Sequence, residues 1–222
     1  MTLINSYMEG EVISRLPTYQ NGQNRHLRLS QYTSLITASG EPNYFELARA
    51  GRLWVCSPGV IANFVAPVQD DPGTAAAYAL YNPAASGVVL SVLRAWAYKD
   101  GGTNDVGGAL VLSAPQAEAT AVTVNTTGVL VKNASGSARS SPLFWATGVT
   151  LDAAGGWSVV AKNESAAAAK VGNAAMVAND LHGCFLVQQG HALGAHVISG
   201  AGTTPKFGIG LLVAELPLPV LE

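Results

Sequence analysis

Charge is what this sequence has least of. Asp, Glu, Lys and Arg make up 12% of its 222 residues, about half of the roughly 25% usual in globular chains. Fourteen acidic and twelve basic residues leave a net charge of −2. No basic run or basic–aromatic stripe occurs, which excludes nucleic-acid binding as a main function, since that binding rests on neutralising phosphates. Cysteine is almost missing. Cys56 and Cys184 lie far apart with no CxxC spacing, so the sequence predicts two buried thiols in a chain made in a reducing compartment. Uninterrupted apolar runs are missing too. Residues 53–68 are broken by Pro58, Asn63 and Pro67, and residues 73–98 by Asn82, Pro83 and Arg94, so neither is expected to cross a bilayer. The opening MTLINSYMEGEV has no positive n-region and no apolar h-region, so no secretory signal is expected. The N-x-S/T patterns at Asn125, Asn133 and Asn163 then read as chance matches.

Catalytic motifs are also lacking. There is no GxSxG elbow, GxxxxGK[ST] loop, HExxH or EF-hand loop, which removes the mechanisms those spacings serve. Gly208-Ile-Gly210 begins like a dinucleotide fingerprint, but Val213 replaces the third glycine and the segment reads as a strand. His182, His191 and His196 share a short stretch with Asp180. The five-residue GHALGAH spacing does not place two rings on one helix face, so surface or interface histidines are expected rather than metal ligands. Asp100, Asn104 and Asp105 in KDGGTNDVGG lack the alternating calcium-loop pattern, and DG followed by GG suits a hairpin connection. Asp70, Asp71, Asp100, Asp105 and Asp152 sit in turn-like segments, and nothing nominates two of them as a glycosidase pair. Trp54, Trp96, Trp145 and Trp157 fall in separate apolar runs, as core or interface packing requires, the alternative being a carbohydrate-stacking platform. No catalytic, cofactor-binding or metal-binding residue is nominated, and no cofactor is expected.

What is present is apolar and small. Hydrophobic residues make up 49%, mean hydropathy is +0.26, and glycine occurs 24 times. Residues 1–40 are polar, carry Arg15, Arg25 and Arg28 with an Asn21–Gly22 turn, and are expected to form an arm or peripheral segment. Residues 41–51 suit one short helix, with Pro42 near the start and Gly51 at the end, although YFEL would also serve as a strand. From residue 52 onward, short apolar runs alternate with Gly, Pro, Asn and Asp clusters. The strands expected are 52–56, 60–66, 76–81, 88–98, 109–113, 121–125, 129–132, 143–149, 157–162, 184–188, 195–199 and 207–216. Strands at this spacing predict an all-β fold, a β-sandwich of jelly-roll type with at most one or two short helices, occupying residues 41–222. Residues 88–98 (VVLSVLRAWAY) are apolar at odd and even positions, so a strand covered on both faces is expected, with Arg94 needing a carboxylate or carbonyl partners. Residues 165–180 are alanine-rich but broken by Gly172 and Asn173, and predict a loop or short helix.

Two stretches resemble tailed-bacteriophage virion proteins. In that group an L-[YW]-N-P-x-x-S-G turn precedes a long apolar strand, and a P/Q-G-H-x-L turn leads to a final strand with an acidic residue before proline. The matching positions are Leu80, Tyr81, Asn82, Pro83, Ser86, Gly87, Gly190, His191, Leu193, Glu215 and Pro217, in stretches that cover about a quarter of the chain. The resemblance implies a non-enzymatic structural subunit of the virion, assembled in the host cytoplasm. The preferred role is a capsid decoration or cement protein, a homotrimer bound to the major capsid protein or another virion protein, with no nucleic-acid or membrane partner. The alternative is a tail or head-fibre module that binds host glycans. The low charge suits a surface covered by neighbouring subunits, and residues 53–93, the poorest in charge, are where that cover is expected.

Overall fold

Apolar runs punctuated by turn residues become antiparallel strands, because each run buries one face and each glycine or proline cluster reverses the chain. The computed structural model describes residues 28–29, 35–36, 44–99, 108–118, 129–153, 155–163, 176–199 and 205–217. The chain falls into two units, Met1–Asn43 and Tyr44–Glu222. In the first, β1 (Arg28–Leu29) pairs antiparallel with β2 (Leu35–Ile36).

The second unit is a β-sandwich. Its elements are α1 (Phe45–Arg49), β3 (Leu53–Pro58), a 3₁₀ turn at Ile61–Asn63, β4 (Ala75–Asn82), β5 (Val88–Lys99), β6 (Gly108–Leu112), β7 (Gln116–Ala117), β8 (Val129–Asn133), β9 (Phe144–Thr150), β10 (Ser158–Asn163), β11 (Met176–Val187), β12 (His191–Ile198) and β13 (Phe207–Pro217). One sheet runs β10-β6-β12-β4-β9 with β7 attached to β12, and the other runs β11-β5-β13-β3-β8. The pairings show how the chain is wound. The outgoing strands β3, β4, β5 and β6 pair with the returning strands β13, β12, β11 and β10 respectively. This is one long antiparallel ribbon. The further pairs β5–β13 and β6–β12 roll it into two sheets, which is the jelly-roll winding. Between β6 and β10, strands β8 and β9 extend the far edges of the two sheets beside β3 and β4.

Side chains that alternate inward along these strands fill the space between the sheets. Tyr78, Leu80, Leu90, Val92, Trp145 and Ile209 are all fully buried there. The stacked rings of Tyr78 and Trp145, 5.3 Å apart, join β4 to β9. The outer faces carry small residues with large side chains of the same chain laid over them. A Cβ on Gly194 would come within 2.8 Å of the Trp157 ring, and one on Gly208 within 2.9 Å of Tyr98. On Gly210 it would overlap the Trp96 ring. Helix α1 packs Leu47 and Ala48 near Leu53, Leu93 and Ala214. It ends where Gly51, at φ 65°, turns the chain so that its N–H and that of Arg52 bond Ala48 and Leu47 carbonyls at 2.9 and 2.8 Å, a glycine C-cap.

The structure amends several expectations. Residues 60–66 are not a strand; Ile61–Asn63 form a 3₁₀ turn and Val65 makes a single bridge to Phe207, because Pro58 and Pro67 withhold the donors a longer ladder needs. Residues 176–180, expected in a loop or helix, begin the edge strand β11. There, residues 181–184 stand opposite a single β5 position, with His182 and Gly183 at φ 50° and 79°. This bulge turns Cys184 to solvent while Cys56 stays buried, so only one thiol is hidden. Arg94 is exposed and pairs with Asp180 at 3.5 Å. The expected two-sided cover of β5 therefore holds at Ser91 and Leu93 and stops at Arg94. Within residues 53–93, Leu53, Trp54, Cys56, residues 76–82 and residues 90–93 are buried by their own chain, while residues 69–71, 74–75 and 84–85 are exposed. Residues 100–107, 121–125 and 165–175 lie outside the described residues.

Glycine under an aromatic ring is a steric requirement here. Gly210→Ala is expected to cost about 1–3 kcal/mol, as overpacking does, and to recover part of that when combined with Trp96→Leu. Urea unfolding of the two single variants and the double variant measures it.

Candidate functional site

The eleven positions of the two familiar stretches converge on one end of the sandwich. Asn82 is the last residue of β4, and Pro83 stops the strand by removing a donor. The fully buried Asn82 amide crosses from its own sheet to the other one. Its Nδ2 donates to Val88 O at 2.9 Å and to Val187 O at 3.0 Å, the first residue of β5 and the last of β11. Its main-chain carbonyl accepts from Gly190 N at 2.7 Å, and its Cα stands in register with His191. An amide suits this position because one nitrogen carries two protons for two carbonyls. Ser86 completes the β4–β5 connection: its N–H donates to Pro83 O at 3.0 Å, and its Oγ stands 3.4 Å from Val88 N and 3.4 Å from Gln189 Nε2. Gly190, at φ 71°, closes the facing turn, where L side chains are strained.

Glu215 enters the same end from β13. Its register partner is Leu90, an interior residue, so the carboxylate faces between the sheets and is fully buried. Ser141 Oγ donates to Oε1. The Arg139 guanidinium lies 3.1 Å from Oε2 and keeps 39% of its side chain in water. The loop between β8 and β9 thus closes this end over a buried charge. Neither Arg139 nor Ser141 was singled out by the sequence. The available signal was Glu215 itself, a lone charge in the apolar run of β13 that called for a cation elsewhere.

A second buried carboxyl lies beside the turn at Gly190. Strand β7 pairs with β12 at His191 and Ala192. The next residue, Glu118, donates its N–H to Gly190 O at 3.0 Å and accepts Asp152 N–H at Oε2, 2.9 Å away. Burial raises the Glu118 pKa. The Asp152 N–H offsets part of the rise, the Asp152 carboxylate adds to it, and Gln116 and His191 lower it. Glu118 too was missed by sequence reading, since QAEA carries no motif.

The other residues considered from sequence are scattered. His182 is exposed on the β11 bulge. His191 and His196 are an odd number of residues apart on β12 and so point to opposite faces. His196 is buried, which lowers its pKa. Among the described residues no group of three or more His, Cys, Asp or Glu side chains is placed to hold a metal ion. Asp100, Asn104 and Asp105 lie outside the described residues. Asp70 and Asp71 are exposed, and Asp71 caps the turn at Gly73 N, 2.8 Å away. Trp54 and Trp145 are buried, whereas Trp96 and Trp157 are half-buried on outer faces. Trp157 donates to Gly73 O at 2.9 Å. No helix among the described residues is long and apolar enough to cross a membrane. What this end offers chemically is crosslinking: two sheets, the short β4–β5 and β11–β12 connections and the β8–β9 loop are held by side chains.

Arg139→Ala leaves Glu215 buried with Ser141 alone. It is expected to cost about 1–3 kcal/mol, below the ~3–5 of a fully buried pair because Arg139 is partly wetted. In the Arg139→Ala/Glu215→Gln double variant the loss should be smaller than the sum, as a double-mutant cycle in denaturant reads directly. For Glu118 the sign runs the other way. A raised carboxyl pKa contributes stability that is complete below the unfolded value of 4.5 and lost as pH rises through the folded one. Glu118→Gln should therefore raise Tm at neutral pH and give no gain at pH below 4.5, as thermal scans across that range will show. A scan against protein-family models and a search of the curated proteins each returned no match to this chain.

Proposed function

We propose that this chain is a non-enzymatic structural subunit of a tailed-phage particle, in the role of a capsid decoration or cement protein. The observation that carries this reading is the convergence at the Asn82 end. The residues of the virion-like stretches bond one another across the two sheets, which is what a scaffold motif does. Jelly rolls serve as capsid and lectin domains alike, so the fold is compatible with the role without choosing it.

Association would draw on apolar side chains left at the sheet edges. Val159 on β10 is 62% exposed and Leu186 on β11 is 44% exposed. These two edge strands adjoin, and Asn179 Nδ2 caps Val160 O between them at 2.7 Å. The β11 bulge obstructs strand addition there, so contacts along this edge are side chain on side chain. A homotrimer seated on the assembled lattice, with the major capsid protein or another virion protein beneath it, would bury such residues. Binding only the assembled form stabilises that form by mass action. The particle, assembled in the host cytoplasm, is then where the protein resides.

Trp96, half-buried on an outer face above Gly210, favours a second reading: a fibre module stacking host glycans against that ring. The purified protein is expected to run as a trimer in light scattering and to bind purified mature capsids but not free capsid subunits. Val159→Asp and Leu186→Asp should weaken both properties. A monomer that ignores capsids and binds glycans in a Trp96-dependent manner would replace the first reading with the second.

A further inference from the structure

Beyond any role in assembly, the interior of the sandwich carries polar atoms that the described residues leave unmatched. Trp54 Nε1, Asn82 Oδ1 and Trp145 Nε1 are buried without a hydrogen-bond partner among the described residues. Glu215 Oε2 meets Arg139 as an ion pair but has no hydrogen bond of proper geometry. All four residues are at least nine-tenths buried, Trp54 at 3% exposure and the others at 0%.

Register places the four on the inward side of one end. Trp54 stands opposite Val213 and Trp145 opposite Leu80, both core residues. Glu215 lies two residues beyond Val213, and Asn82 two residues beyond Leu80. Ser141 links the two sides, since its Oγ donates to Glu215 and accepts from Leu143 N at 3.1 Å, two residues before Trp145.

The chemistry of the four atoms selects the guest. An indole N–H only donates, and a carboxylate or amide oxygen here only accepts. A metal ion would be faced by two N–H dipoles, and an anion by Glu215. An apolar guest would satisfy none of them. Water both accepts from the indoles and donates to the oxygens, and buried polar groups of native proteins are commonly satisfied in this way. We infer that the inter-sheet space bounded by Trp54, Asn82, Trp145 and Glu215 is a built hydration site, holding ordered water that accepts from both indoles and donates to Asn82 Oδ1 and Glu215 Oε2.

Water–protein Overhauser spectroscopy on the ¹⁵N-labelled full chain tests this directly. The indole N–H signals of Trp54 and Trp145, assigned through Trp54→Phe and Trp145→Phe, should show cross-peaks to long-lived water. Trp157, whose Nε1 donates to Gly73 O at 2.9 Å, serves as the reference for a protein-bonded indole and should show none. A high-resolution crystal structure should place water within hydrogen-bond distance of both indole nitrogens, Asn82 Oδ1 and Glu215 Oε2. Indoles that show no water contact, or that donate directly to protein oxygens in the crystal, would overturn the inference.

Discussion

Two amide protons of Asn82 hold the winding of this fold in place. They reach carbonyls at the start of β5 and the end of β11, strands that pair with each other in the sheet opposite β4. The connection from β4 to β5 and the connection from β11 to β12 are therefore pinned at one point. Everything placed by those connections follows: the register of β12 against β4, the turn at Gly190 that carries Glu118 N–H, and the mouth into which Glu215 points. A carbonyl that loses its share of this amide is stranded inside the sandwich, and stranding a buried acceptor costs more than an ordinary hydrogen bond contributes.

The second constraint is lateral. Small residues on the outer faces would leave gaps if the same chain did not cover them. It does so with Trp157 over Gly194, Trp96 over Gly210, Tyr98 and Phe64 over Gly208, and α1 near Leu93 and Ala214. These rings keep the small residues beneath them out of water within the chain itself. Among the described residues, the large apolar side chains left exposed are Phe45 on α1, Val60 after β3, Leu216 at the end of β13, and Leu130, Phe144, Val159 and Leu186 on the edge strands β8, β9, β10 and β11.

How much of this was legible follows from the range over which each feature is determined. Strand positions and the short helix were readable because alternation, glycines and prolines act locally; β4, β5, β9 and β13 fall within a residue or two of their expected bounds. The all-β class and the rolled winding were expected on the same spacing, although the β8–β9 extension of each sheet was not, since no local pattern encodes which edge a strand joins. Arg94 looked buried in an apolar run, yet it stands beside the bulge and faces solvent, and the same bulge exposes Cys184. At the candidate site, Asn82, Ser86 and Gly190 were visible as turn residues. Their meeting across about a hundred residues of chain was not, nor was the choice of Arg139 as the partner of Glu215, because both depend on which ends of the roll coincide.

The ribbon winding also bears on how the chain comes to be folded. Strand β13 lies between β5 and β3 in its sheet, so neither has its central neighbour until residues 207–217 have been synthesised. The first strand of the roll waits for the last. While the ribosome is still at work, β3 and β5 carry open edges rich in valine and leucine, the condition under which nascent chains call on chaperones. Pairings this distant in sequence also make for slow closure. The sandwich therefore closes only once residues 207–217 have been made, and unclosed ribbons must be kept apart until then.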